Sequence, residues 1–589
     1  MSQNRESHLT DHAMLVAWGQ YAHGLGLIQA IEAIALKQKT VEHSPQGKVL
    51  EFLVAILAGL EYLKDISQSA HPLDKDETVA RAWGQPGWAD QSGVSRTLRG
   101  LSEVEVEQIA AVLERVSQPL LDQEVGLALG QGPLELDGDL SPRPVSNTST
   151  SYPEASFGHM HQQLRLGYQA AIVTMGSPTY GRLGLSVAHH SGKTLSLSQA
   201  ETLALEAERR LGRRPWRRTD LLEQRLGQLL PEGVKLAQQL AQARQKLAQV
   251  EAERTVVADQ LQQVRQRFEQ QQAEYAQQQR PERPSSHLAK ARQQLEVYQH
   301  RLERRQQAVQ KAQDWLTRQT DRLAAWKMTL QTLEERLRRF QADNAANPAP
   351  VPAIFRLDAG FGTGENLVLL IELGYEVYTK PYGTWLSGLL AAKSTETNDW
   401  KKVGKNAEMR AWSSVKIPDF PYPLDLGYER FWTGQGYRFS GLIHFGPRPV
   451  TTDLPAWFAY YNGRQTIEAS NKEGKQVFEI HHLKVRSRPA LRLQEHFALF
   501  AANFVRFAAH WLAQQCPHLP AVWQHSACPR VKEQVKVGAH SPAQVEWFGQ
   551  DCLLKFEDRS IYAGRSLLIK PQVAIQLVLP MKFVNFVPI

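Results

Sequence analysis

The chain has 589 residues, 68 Lys and Arg against 60 Asp and Glu, a formal charge of +8 and a pI of about 9.2. This length predicts several domains, the apolar content excludes wholesale disorder, and the basic excess fits a polyanion partner. Three cysteines (Cys516, Cys528 and Cys552) exclude a disulfide framework and fit a reducing, cytoplasmic setting.

The opening "MSQNRESHLTDHAML" has no leader pattern, and no run of about 18 apolar residues is present to span a membrane, so no membrane partner is expected. The nearest approach, "GKVLEFLVAILAGLEYL", carries charges at its ends and reads as a buried helix.

Residues 1–128 read as a helical N-terminal region, with apolar residues at three- and four-residue spacing in "MLVAWGQYAHGLGLIQAIEAI" and "VEVEQIAAVLERV". Within it, "WADQSGVSRTLRGL" loosely fits a helix-turn-helix. Gly93 would make the turn, and Ser95, Arg96 and Arg99 would open a DNA-recognition helix. An ordinary helix hairpin is the alternative.

The pattern changes at Gly132. "PLELDGDLS" reads as a strand ending in acids, "GYQAAIVTMG" and "GRLGLSVAHHSG" as a hairpin, and "SLSQAETLALEAERRLG" as a serine-capped amphipathic helix. The basic run "RRLGRRPWRRTD" is either a phosphate-binding patch or a solvated helix end. His189 and His190 read as a strand end rather than a metal site.

Residues 233–345 read as a coiled-coil hairpin inserted into the fold. Leu236, Leu240, Ala243, Leu247, Val250, Val257, Leu261, Val264 and Phe268 form one heptad stripe. A second runs from Leu288 to Leu337, and "RPERPSSH" separates the arms, each expected to reach roughly 60–80 Å. Residues 346–515 then resume the core with a β-rich insert at 381–450, and 516–589 read as a β-rich C-terminal region. Cys516, His518, His525 and Cys528 have a spacing unusual for zinc and read more simply as a loop.

"FRLDAGFGTGENLVLLIELGYEV" can be read in two ways. As strand, glycine-rich turn and helix it is similar to the first motif of S-adenosylmethionine-dependent methyltransferases. That chemistry needs an acid at the end of the next strand for the ribose, and "YEVYTKPYG" ends instead on Lys380. In the other reading Asp358 is the working group. Carboxylates at strand ends, Asp137 in "LELDGD" and Asp358 in "FRLDAG", would converge with an acid from a helix, Glu468, to hold divalent metal.

Tyr461, Arg464, Glu468 and Lys475 give the spacing Y-x2-R-x3-E-x6-K, which resembles the signature of one branch of the DDE transposases of bacterial insertion sequences. Asp358 in "RLDAGF" and Asp137 before Gly138 match the family's other two acids, with Asp139 as the alternative first acid. Asp137 and Asp358 stand about 220 residues apart, of which the heptad segment supplies about half.

The resemblance implies an α/β, RNase H-like core and cut-and-paste transposition. Asp137, Asp358 and Glu468 would hold two Mg²⁺ ions, with Mn²⁺ able to substitute. The partners implied are double-stranded DNA (terminal inverted repeats and target) and a second subunit in a synaptic complex. Tyr461, Arg464 and Lys475, on one helix face, and Lys380 would contact DNA phosphates. A DNA-binding derivative that no longer cuts is the alternative.

Overall fold

The computed structural model describes residues 7–39, 42–160, 163–277, 286–395, 399–515, 531–557 and 566–570. The Cys516–Cys528 stretch, read as a loop, and most of the expected C-terminal strands lie outside them. The chain is mixed α/β and divides into two units, Met1–Trp216 with Ala349–Ile589, and Arg217–Pro348.

The first unit opens with a short strand, β1 (Ser7–Thr10), which the helical pattern did not predict. Seven helices follow: α1 (Ala13–Gly24), α2 (Leu27–Glu32), α3 (Pro45–Leu57), α4 (Asp65–Gln68), α5 (Glu77–Ala82), α6 (Gln91–Arg99) and α7 (Glu103–Gln131). Helix α7 begins at a capping box, in which Ser102 and Glu105 satisfy each other's backbone N–H groups.

The strands are β2 (Leu134–Pro144), β3 (Ser156–Met160), β4 (Gln163–Ser177) and β5 (Gly181–Ser191), followed by α8 (Ala200–Leu211). The residue before α8 is Gln199, with no side-chain cap, rather than the expected serine.

The second unit is two antiparallel helices, α9 (Thr219–Ala276) and α10 (Ser286–Ala345). Helix α9 starts 14 residues before the expected Gly233 and runs through Pro231. Every residue named in the first heptad stripe is buried or half-buried. Val250 packs with Val309 and Ala312, Arg305 pairs with Glu253 at 2.6 Å, and Trp326 donates to the Leu229 carbonyl at 3.1 Å. A side chain at position 233 would meet the Trp326 ring at 2.2 Å, so Gly233 is what admits that indole between the helices.

The first unit resumes with β6 (Ala353–Arg356), α11 (Gly364–Glu372), β7 (Glu376–Thr379) and α12 (Ser387–Thr395). A meander follows: β8 (Lys401–Lys402), β9 (Ala407–Val415), β10 (Leu424–Trp432) and β11 (Tyr437–Phe445). Next come α13 (Leu454–Asn462), α14 (Gln465–Val477), α15 (Arg488–Gln515) and α16 (Val531–Lys536). The described chain ends in β12 (Ala543–Phe548), β13 (Asp551–Phe556) and β14 (Ser566–Ile569).

The sheet that organises the site runs β3-β4-β2-β6-β7-β11-β10-β9-β8, with β5 also on β4. β2–β4 and β4–β5 are antiparallel, whereas β2–β6 and β6–β7 are parallel. The central parallel strands β6 and β7 are short and buried throughout, as strands covered on both faces must be. The expected insert at 381–450 does not form a sheet of its own. Strand β11 pairs antiparallel with β7 and extends the same sheet as a meander. A separate small sheet, β1-β12-β13-β14, joins the first described residues to the last.

Candidate functional site

In the parallel pair β2–β6, Asp137 stands opposite Arg356. Asp139 lies two residues further along β2, and Asp358 follows two residues after the end of β6, where the Leu357 N–H still bonds the Tyr378 carbonyl. The two carboxylates are close enough for the charge of Asp358 to raise the pKa of Asp139.

Asp137 does not join them. It is fully buried, and Arg356 donates to both of its oxygens, Nε to Oδ1 at 2.7 Å and Nη2 to Oδ2 at 2.9 Å. Arg182 pairs with it as well. The same Arg356 donates to the Tyr460 carbonyl at 3.1 Å and lies over the Tyr460 ring at 4.9 Å, while Tyr460 Oη donates to Glu135 at 2.8 Å. Asp137, expected as first acid, is thus a neutralised structural anion that anchors β2, β6 and the end of α13. Asp139 takes its place beside Asp358.

Asp358 caps a single helical turn, accepting from the Gly360 N–H at 2.9 Å, and its carbonyl accepts from Thr379 Oγ1 at 3.0 Å. The turn explains the glycines. A side chain at Gly362 would meet the Lys380 carbonyl oxygen at 1.8 Å, so glycine there is required by close chain packing. Helix α11 then starts from a Thr363 cap.

The third acid comes from α14. The expected single helix face is interrupted: α13 ends at Asn462, and Arg464 is the junction residue before α14. The turn tightens there, with Arg464 N–H bonding Tyr461 O at 3.1 Å and Ile467 N–H bonding Arg464 O at 2.8 Å. Tyr461 points into the core, only 4 % exposed, with its Oη on the Leu357 carbonyl at 3.3 Å. It is a packing residue, not a surface contact for DNA.

Arg464 is half-buried, and its Nη2 donates to Glu468 Oε1 at 2.9 Å. Burial opposes its charge, yet Tyr461, Asp358, Asp139 and Glu468 together hold its pKa above the ordinary value. The expected DNA contact is therefore the internal counter-charge of the acids. Lys380 is also committed, to the buried Glu429, and lies over the Tyr461 ring at 5.6 Å.

The acids carry the electrostatic signature of crowding. Asp139 is pushed up to about 6 by burial and then by the Asp358 carboxylate, with Glu468 adding and Arg464 and the Leu140 N–H opposing. Asp358 is raised by burial, against the pull of Arg464 and of the Gly360 and Phe361 N–H groups. Glu468, 59 % exposed at its side chain, is the most exposed of the three. The three carboxylates do not all lie within 4.8 Å of one another, and the Arg464 pair keeps Glu468 aside.

Asp139, Glu468, Asn471, Lys472 and Lys475 line a cavity of about 610 Å³. Asn471, one turn beyond Glu468, donates to Asp139 Oδ2. It escaped the sequence reading, although its i+3 spacing from Glu468 places it on the same face. Lys475 is lowered by burial and by Arg143, with Asp139 and Glu495 opposing.

Ser95 and Arg96 lie elsewhere. Helix α6 starts at Gln91, capped by Asp90, so Gly93 is inside the helix and makes no turn. Ser95 Oγ accepts from Arg99 at 3.1 Å, and Arg96 is exposed. In the basic run, Arg209 forks onto Glu114 at 2.8 Å through each Nη, and Arg210 donates to Ser117 Oγ at 2.8 Å.

No protein-family model matches the chain, and none of the curated proteins is significantly similar to it in sequence.

Proposed function

We propose that the chain is a DDE-type DNA transposase, with an RNase H-like core interrupted by an antiparallel coiled-coil hairpin. The observation that carries this reading is the parallel pairing of β2 with β6, which leaves Asp139 within electrostatic reach of Asp358 while Asp139 and Glu468 line one cavity. The strand order β5-β4-β2-β6-β7, antiparallel then parallel, supports the core assignment. The resemblance of the Tyr461–Lys475 spacing supports the family.

Asp139, Asp358 and Glu468 offer only hard carboxylate oxygens, the donor set that suits Mg²⁺ or Mn²⁺, and the raised pKa values of Asp139 and Asp358 mark an excess of negative charge that a dication relieves. Two such ions, when bound, supply an activated water and stabilisation of the leaving 3′ oxygen.

The chain's own groups do the rest. Asn471 fixes the orientation of Asp139. Lys475 and Lys472 face the same cavity and hold a phosphate of the DNA strand. Arg464 balances the acids until Glu468 turns toward them. Water attacks the phosphodiester at the transposon end and releases a 3′-OH. That hydroxyl then attacks a target phosphodiester, exchanging one P–O bond for another. Terminal inverted repeats and target DNA are the substrates, bound by a dimer.

The test is cleavage of a plasmid carrying the gene with its native flanks. The wild-type chain with Mg²⁺ cuts at the flanks, and Asp139→Asn and Asp358→Asn do not. Wild type and both variants behaving alike, in Mg²⁺ and in Mn²⁺, overturns the reading.

A further inference from the structure

The loop that leaves α14 carries a second group of metal-ligating side chains, away from the acids. Ligand atoms of Glu479, His481 and His482 all lie within 4.8 Å of one another. The chain bends sharply to bring them together, with Glu479 at a φ of 51°, a strained value for a residue with a side chain.

Nδ1 of His481 and Nδ1 of His482 are both shielded from solvent, and neither makes a well-aligned hydrogen bond. Carboxylate oxygens stand near each: Glu479 Oε2 is 3.6 Å from His481 Nδ1, and Glu61 Oε1 is 2.9 Å from His482 Nδ1.

The surroundings orient these groups. Lys536 Nζ holds Glu479 Oε1 at 2.7 Å and leaves Oε2 turned toward the imidazoles. Tyr62 stacks on His482, ring centroids 5.0 Å apart and nearly parallel. The ring of His481 engages the backbone carbonyl of Lys475. Supporting contacts of this kind, to a histidine ring and to a liganding carboxylate, are what metal sites use to fix their ligands. Two ammonium groups face the site, Lys536 and Lys484. Lys484 donates to the carbonyls of Glu61 and Glu479, each at 3.2 Å.

We propose that Glu479, His481 and His482, with Glu61 completing the set, bind one Zn²⁺ ion. Mixed imidazole and carboxylate donors suit zinc, whereas Mg²⁺ demands an oxygen shell and would not compete. Glu61 follows α3, and the other three ligands follow α14. The ion would tie the helical N-terminal region to the helix that bears Glu468 and Lys475. This inference does not depend on the proposed activity: the chain could fail to cut DNA and still bind zinc here.

The experiment titrates the full-length, chelator-stripped chain with Zn²⁺ in excess Mg²⁺, by calorimetry, with Co²⁺ as a spectroscopic substitute. One Zn²⁺ per chain is expected, with at least tenfold weaker binding in His481→Gln and in His482→Gln. A smaller loss is expected in Glu61→Gln, and no change in Asp358→Asn or in the Cys516→Ser/Cys528→Ser double variant. Wild-type Co²⁺ should show ligand-field bands of a nitrogen and oxygen site without thiolate charge transfer. No uptake by the wild type overturns the proposal whatever the variants do. So does binding unchanged in both histidine variants, or binding lost with the acids or the cysteines.

Discussion

Arg356 grips both oxygens of Asp137 at 2.7 and 2.9 Å, with Asp137 fully buried and Arg356 nearly so. The two acids of the motif "DGD" therefore have different surroundings, Asp137 held by two arginines and Asp139 facing the cavity with Asn471 as its donor. Asp137→Ala takes the buried carboxylate from both Arg356 and Arg182, leaving Arg356 only the longer, 3.5 Å pair with the partly exposed Glu135, at a cost of about 3–5 kcal/mol. The urea midpoint should fall accordingly, whereas Asp139→Asn should keep or raise it while abolishing cleavage. Denaturation curves on both variants decide this. A harmless Asp137→Ala would mean that the pairing does not hold the sheet together.

The pH dependence of stability gives a second test. Asp139 has a folded pKa of about 6, above the ordinary value of 3.8. The folded state therefore binds a proton that the unfolded state has already released between these values. The sign is unfavourable: stability contributed by the protonated form is present at low pH and is lost as pH rises from about 4 to about 6. The full effect is about 3 kcal/mol at most. Asp139→Asn should flatten this part of the profile and raise Tm at pH 7.5. An unchanged slope in calorimetry from pH 4 to 7.5 would show that Asp139 is not crowded.

Lys380 was expected to meet DNA, but its partner Glu429 is 1 % exposed and would be stranded by Lys380→Ala. Loss of one member of such a pair is far more costly than loss of both. Lys380→Met should destabilise the chain by a few kcal/mol, and the Lys380→Met/Glu429→Met double variant should recover most of it. Equal stability of the single and double variants would count against the pair. Loss of DNA affinity in Lys380→Met without loss of stability would restore the phosphate role.

Much of this architecture was legible because its signals are local. Heptads in α9 and α10, the β-rich runs and intervening turn of β4 and β5, and the turn after Asp358 each depend on residues close in sequence, and each element is present. The Tyr461–Lys475 spacing picked out Glu468, which lines the same cavity as Asp139. What failed was whatever depends on partners far away in the chain. Nothing near Asp137 announces that Arg356, 219 positions on, will neutralise it. Nothing near Tyr461 shows that its hydroxyl will be spent on the Leu357 carbonyl. Strand β1 was missed because only β12, more than 500 residues later, gives it an edge to pair with. Gly93 misled because glycine within a helix is tolerated when a cap such as Asp90 fixes the start.

Arg464 supplies the last prediction. Its guanidinium pairs with Glu468 at 2.9 Å and also lowers the cost of Asp139 and Asp358 as anions. Without a bound dication it is the acids' counter-charge. Arg464→Gln should therefore lower Tm at pH 7.5 in the presence of a chelator, because three carboxylates then repel one another at a partly buried site. It should also release Glu468 to face the other acids. Stabilisation by a bound ion grows as RT ln(1 + [L]/Kd), so the Tm gained on adding Mg²⁺ should be larger in the variant than in the wild type. Thermal shifts on both proteins, with chelator and with Mg²⁺, measure this directly. A variant that loses Tm in chelator and recovers none of it with Mg²⁺ would show that Arg464 only braces the junction between α13 and α14.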